Sequence, residues 1–121
     1  MTQIKQEDLI ESVSAALQYI SYYHPVDYIR HLARAYEAEQ SPAAKDAIAQ
    51  ILTNSRMCAE GRRPLCQDTG IVNVYLKVGM DVRWQGFTGS LADAVNEGVR
   101  RGYLHPDNVL RASVVADPQF E

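Results

Sequence analysis

The sequence predicts an α+β fold, in which an N-terminal three-helix segment is followed by a small mixed sheet of strand, helix and strand. Three observations predict it. Apolar residues recur at intervals of three and four from Leu9 to Leu52. The junctions His24-Pro25 and Ser41-Pro42 divide that stretch into three. Beyond Gly61 the texture changes to short β-branched and aromatic runs punctuated by glycine.

The first helix, Gln6 to Tyr22, carries Leu9, Ile10, Val13, Ala16, Leu17 and Ile20 along one stripe and begins near Glu7 or Asp8. Proline disfavours helix in the residue before it and is favoured at the first helical position, so one helix ends at His24-Pro25 and another starts. That second helix runs to Glu39, with Ile29, Leu32, Ala33 and Tyr36 inward. Ser41 caps the third, whose apolar positions are Ala47, Ile48, Ile51 and Leu52, and Gly61 stops it. Residues 62–70 have no period and read as a loop. Ile71 to Val78 reads as a strand and Met80 to Trp84 as a shorter one. Ser90 caps a fourth helix with the stripe Leu91, Ala94, Val95 and Val99, ending near Gly102. His105-Pro106-Asp107-Asn108 reads as a turn, and Val109 to Val115 as a last strand.

With 121 residues, 46% apolar and 22% charged, the chain is the size of one domain and rich enough in apolar residues to fold around a core. Fifteen acidic against twelve basic residues, with no basic cluster interleaved with aromatics, argue against nucleic acid as a partner. No apolar run approaches the roughly 18 residues of a membrane span, and residues 1–8 lack the pattern of a signal peptide, so the cytoplasm is the expected location. The two cysteines, Cys58 and Cys66, match no zinc-finger or redox spacing. In a reducing compartment both are expected to be thiols, or one a metal ligand. A zinc protein is disfavoured because four suitably spaced ligands are not present.

The densest reactive cluster is Cys66-Gln67-Asp68-Thr69-Gly70. On an irregular loop a thiolate, an amide and a carboxylate can point into one cleft, whereas neighbours on a strand alternate faces. Thiolates are soft ligands for iron, a carboxylate transfers protons, and Arg62 and Arg63 favour thiolate and anions nearby. The plainer reading stands beside this: a buried Cys is a small hydrophobe and Asp-Thr-Gly is turn chemistry. Cys58 lies within the third helix and reads as a core or half-buried thiol. His24, His31 and His105 read as capping or surface residues, and Tyr19, Tyr22, Tyr23 and Tyr28 as closing the helical core. Arg111 interrupts an apolar run, so it is paired or reaches an anion.

The run Arg63-Pro64-Leu65-Cys66-Gln67-Asp68-Thr69-Gly70, with Asn96-Glu97-Gly98-Val99-Arg100-Arg101-Gly102-Tyr103 and Asn108-Val109-Leu110-Arg111-Ala112-Ser113, resembles the class I, iron–sulfur-dependent fumarate hydratases. The related L-tartrate dehydratases share much of the pattern. The resemblance implies reversible hydration of fumarate to L-malate at a [4Fe–4S] cluster, as in the tricarboxylic acid cycle. It implies that Cys66 is one of three cluster ligands. Gln67 then binds substrate, Asp68 binds it and transfers a proton, and Arg111 clamps a carboxylate. The implied partners are a small dicarboxylate and the remainder of the enzyme or a beta subunit, with the whole enzyme a homodimer.

The other ligand cysteines of that family have no counterpart here. Residues 1–121 are therefore expected to form an N-terminal fragment of the cluster-bearing alpha domain, helical over 6–60 with the strand, helix and strand over 61–121. Such a fragment is expected to be inactive alone. A non-catalytic helical interaction module, with Cys66 structural, is the reading from a different class.

Overall fold

The computed structural model describes residues 2–66 and 72–109. Its elements in order are β1 (Thr2–Lys5), α1 (Gln6–Tyr22), α2 (Val26–Ala38), α3 (Pro42–Gly61), β2 (Val82–Gln85) and α4 (Leu91–Leu104). The fold is the mixed α+β arrangement expected. It divides into two compact units, Met1–Gln18 with Asp68–Glu121, and Tyr19–Gln67. No described helix is long and apolar enough to cross a membrane.

In the first unit the expected strands are corrected. Residues 72–78 join no ladder among the described residues, although exposure still alternates, with Val74 at 39%, Tyr75 at 91% and Leu76 at 44%. β propensity sets an extended path, but a strand exists only when a neighbour takes its backbone groups. The sheet that does form pairs β1 with β2 in parallel, Thr2 opposite Val82 and Ile4 opposite Trp84. β2 overlaps the shorter expected strand, whereas β1 has too few residues to show a period. Of the last expected strand, Val109 is irregular and residues 110–115 lie outside the described residues.

The core of this unit is Val13 and Leu17 of α1 with Val99 of α4, flanked by Leu9, Val72 and Tyr103. The buried face of α1 is rotated from the expected stripe. Ile10, Val13, Ser14, Leu17 and Gln18 are buried, while Ala16 is exposed. Glycines on α4 cause this: a methyl group placed on Gly98 would lie 2.6 Å from Val13 Cβ, and one on Gly102 2.6 Å from Leu17 Cδ1. The helices approach so closely that the Gln18 amide Nε2 donates to the Gly102 carbonyl at 2.9 Å. The fourth helix starts as expected, in a capping box: Asp93 N–H donates to Ser90 Oγ at 3.1 Å and Ser90 N–H to Asp93 Oδ2 at 2.9 Å.

Arg101 of α4 donates to Glu97 Oε1 at 3.1 Å and to Glu11 Oε1 at 2.8 Å, and also pairs with Glu7. Arg100 grips the same Glu97 through two bonds of 2.8 and 2.7 Å. The hydrogen bonds from Arg100 and then Arg101 hold the Glu97 carboxyl well below its usual 4.5, at about 2. A carboxyl depressed in the folded state contributes stability that is complete above its unfolded value and lost as pH falls through the folded one. Thermal stability is therefore expected to drop between about pH 4.5 and about pH 2, and Glu97→Gln to flatten that slope in a melting series. An unchanged slope in the variant would rule out this network as a source of acid sensitivity.

In the second unit α2 and α3 form a helical hairpin. Glu39 Oε1 accepts the N–H groups of Gln40 and Ser41, and Ser41 Oγ accepts from Ala44 N–H at 3.4 Å, with Pro42 in the first turn as expected. Lys45 Nζ donates to the Tyr36 carbonyl at 2.8 Å and sits 4.2 Å from the ring centroid. Cys58 and Ser55 are buried, as is Tyr22. Tyr19 and Ile20 are more than half exposed, so only Tyr22 of the tyrosine group closes this core fully.

The stop of α3 differs by one residue from expectation. Gly61 is the last helical residue, and Arg62 takes the left-handed turn at φ 51°, with the N–H groups of Arg62 and Arg63 both returning to the Cys58 carbonyl. That conformation costs a residue with a Cβ roughly 1–2 kcal/mol. Part of the gain from glycine is offset by its freedom in the unfolded chain. Arg62→Gly is expected to raise unfolding stability by about 0.5–1 kcal/mol in a urea titration; a loss would mean that the Arg62 side chain contributes more than its backbone costs.

Candidate functional site

The candidate site begins where α3 ends. The left-handed turn at Arg62 sends the chain away from the helix axis, and the next residues are tied back to the second unit by three hydrogen bonds. The Cys58 thiol donates to the Pro64 carbonyl at 3.3 Å. The Asn54 amide Nδ2 donates to the Leu65 carbonyl at 3.3 Å, and Leu65 N–H donates to the Ser21 carbonyl at 3.0 Å. Cys66 follows directly and is exposed.

The two thiols thus have opposite surroundings. Cys58 is 3% exposed, with its sulfur between the Pro64 carbonyl and Asn54 Oδ1 at 3.7 Å, which makes it core, the first of the two readings left open for it. Cys66 is an exposed residue on an irregular segment, where a thiolate can meet a metal. Gln67, Asp68 and Arg111 lie outside the described residues. Among the described residues no three His, Cys, Asp or Glu side chains converge as a metal site.

Beside the Cys66 segment is an open cleft of about 530 Å³, lined by His24, Tyr28, Gln50, Ile51, Asn54 and Leu65 among others. His24 Nδ1 lies 3.0 Å from the buried Ser55 hydroxyl, and its ring stacks at 4.5 Å on Tyr28. His24 therefore ties the turn after α1 to α3, a half-buried tie between elements rather than the capping or surface role expected. His105 accepts Asp107 N–H on Nδ1 at 3.0 Å, which makes it a turn residue as expected. His31 is exposed on α2. The residues that sequence reasoning missed are Asn54, Gly98 and Gly102. Asn54 had no visible signal. The two glycines had one, their four-residue spacing within an otherwise amphipathic helix, which marks a face where another backbone can approach closely.

Comparisons with known proteins show the family. The fumarate hydratase (Fumerase) model matches residues 10–121, which take in α1 from Ile10 onward, α2 to α4, the Cys66 segment and Arg111. The chain belongs to the fumarate hydratase family. A Methanocaldococcus jannaschii relative, assigned as the alpha subunit of an L(+)-tartrate dehydratase, is 33% identical over 79 residues, covering 65% of this chain and 27% of the relative. A Geobacillus stearothermophilus relative, assigned as a class I fumarate hydratase, is 28% identical over 104 residues, covering 85% of this chain and 20% of the relative. The chain thus matches only about a fifth to a quarter of the length of these curated family members. No solved structure matches it significantly.

Proposed function

We propose that this chain is part of a hydro-lyase that reversibly hydrates fumarate to L-malate, with a [4Fe–4S] cluster as cofactor and Cys66 as one of the cluster ligands. The observation that carries the reading is the family match across residues 10–121; beside it, Cys66 is exposed whereas Cys58 is buried and hydrogen-bonded. The donor chemistry fits the group in part. Cys66 supplies one accessible soft ligand, but with two cysteines in the chain, one of them buried, a set of three thiolates needs residues from elsewhere. The partner is accordingly the remainder of the enzyme or a beta subunit. Alone, this fragment of the alpha domain is inactive, and the whole enzyme is a homodimer of the cytoplasm, where thiols stay reduced.

When bound, the cluster supplies a Lewis acid for the substrate's hydroxyl and carboxylate oxygens. The chain's own residues do the rest. Gln67 hydrogen-bonds and orients the dicarboxylate. Asp68 binds it and delivers the proton with which the hydroxyl leaves as water. Arg111 forks onto a substrate carboxylate and offsets the charge that builds up when the neighbouring carbon loses its proton to a base supplied by the remainder of the enzyme.

A second reading within the same chemistry is L-tartrate dehydration, favoured by the 33% identity to the tartrate relative against 28% to the fumarate one. The test is anaerobic iron–sulfur reconstitution of the intact protein, followed by turnover of L-malate, fumarate and L-tartrate. A brown chromophore with malate and fumarate turnover is the expected result. Faster turnover of tartrate would replace the first reading by the second. Neither chromophore nor turnover would leave the non-catalytic module.

A further inference from the structure

We propose that Asn54 and Cys58 are positioning residues for Cys66, a pair on α3 that fixes the two peptide carbonyls ahead of it. This rests on the reading of Cys66 as a cluster ligand and adds residues for which that reading has no use.

Asn54 and Cys58 are four apart, so they share one face of α3, the face from which the chain departs after Arg62. Their side chains are linked, with the Cys58 sulfur 3.7 Å from Asn54 Oδ1. Each then takes a consecutive backbone acceptor: Cys58 the Pro64 carbonyl at 3.3 Å, Asn54 the Leu65 carbonyl at 3.3 Å. On the other side of the same residue, Leu65 N–H is held by the Ser21 carbonyl at 3.0 Å. With Leu65 fixed through both its N–H and its C=O, the direction in which the chain enters Cys66 is set, even though Cys66 itself is exposed. A ligand on an otherwise irregular segment needs such support, since metal affinity depends on how far the ligand is ordered before the metal arrives. Core packing alone explains burial of Cys58, but not why an exposed amide one turn back reaches the next carbonyl in the same segment.

The experiment uses two readouts. Hydrogen exchange at the Leu65 amide is measured in this chain. Iron release to a chelator is measured in the reconstituted intact protein. Asn54→Asp keeps shape and Oδ1 but loses the N–H donor, and Cys58→Ala loses the thiol donor. Cys58→Ser keeps a donor toward Pro64. Urea midpoints report any general loss of stability. The first two variants are expected to exchange Leu65 roughly five- to tenfold faster, as loss of one neutral hydrogen bond gives. They are expected to release iron on the order of tenfold faster, as for other outer-shell partners. Cys58→Ser should stay close to wild type in both. Unchanged Leu65 exchange in the first two variants overturns the proposal, and so does faster exchange with unchanged iron release, which would make the pair merely structural. A wild type that takes up no iron overturns the hydro-lyase reading and the positioning role with it; Leu65 exchange then tells whether the clamp itself exists.

Discussion

Cys66→Ser is expected to leave the intact protein without its brown chromophore and with turnover reduced by more than the ~10–100-fold typical of outer-shell changes, while Cys58→Ser retains both. A serine hydroxyl is close to cysteine in shape, but it is harder and stays protonated, so it does not replace a thiolate on iron. The contrast between the two positions follows from their surroundings. Cys58 is 3% exposed and held by the Pro64 carbonyl and Asn54, whereas Cys66 is exposed. The same contrast shows without any metal. A thiol-directed reagent meets Cys66 directly but reaches Cys58 only when α3 and the segment after it open. Opening that costs about 3–4 kcal/mol slows Cys58 by roughly 10²–10³-fold relative to Cys66, read by mass spectrometry of timed alkylation. Equal alkylation rates would remove the basis for assigning the two thiols different roles.

Helices were legible in the sequence wherever a side chain could close a backbone end. Ser41 with Pro42, and Ser90, signal helix starts by local hydrogen bonding alone, and both caps act as expected, with Asp93 completing a box at Ser90 that was not read beforehand. What local signals do not contain is partnership. The run Ile71–Val78 has strand composition, yet residues 72–78 form no ladder among the described residues, while Thr2–Lys5, without a readable period, pairs with Val82–Gln85. Pairing is a property of two distant segments, and only one of them was visible as a strand.

The candidate site divides in the same way. Cys66 stood out because its residue type, its loop and its neighbours together point to chemistry; the structure adds only that the residue is exposed. Asn54 was invisible, because nothing in the order of residues along α3 shows that its amide meets the Leu65 carbonyl, 11 residues on. The buried face of α1 was misjudged for a related reason. Hydrophobicity selected Ala16 and Ile20, while Ser14 and Gln18 are buried instead, because a glycine-lined helix brings polar backbone within reach and the Gln18 amide answers the Gly102 carbonyl.

Gly98→Ala is expected to destabilise the protein by about 1–3 kcal/mol, although alanine is the better helix former by about 1 kcal/mol. The added methyl would lie 2.6 Å from Val13 Cβ, 2.9 Å from Val13 Cγ1 and 2.9 Å from the Ile10 carbonyl oxygen. A backbone oxygen and a Cβ cannot rotate aside, so α1 and α4 have to separate and loosen the Val13, Leu17 and Val99 core between them. Gly102→Ala, one turn further along the same face, provides the contrast. Its methyl would press on Leu17 Cδ1 at 2.6 Å, but Leu17 Cβ and Cγ stand back at 3.4 and 3.5 Å. The end of a leucine can change rotamer, so this variant is expected to stay within about 1 kcal/mol of wild type, with the gain in helix propensity offsetting the repacking. Chemical denaturation of the two variants side by side checks the argument. If Gly98→Ala proves as stable as Gly102→Ala, then glycine at 98 is not required by the approach of α1, and the rotation of α1's buried face needs another cause.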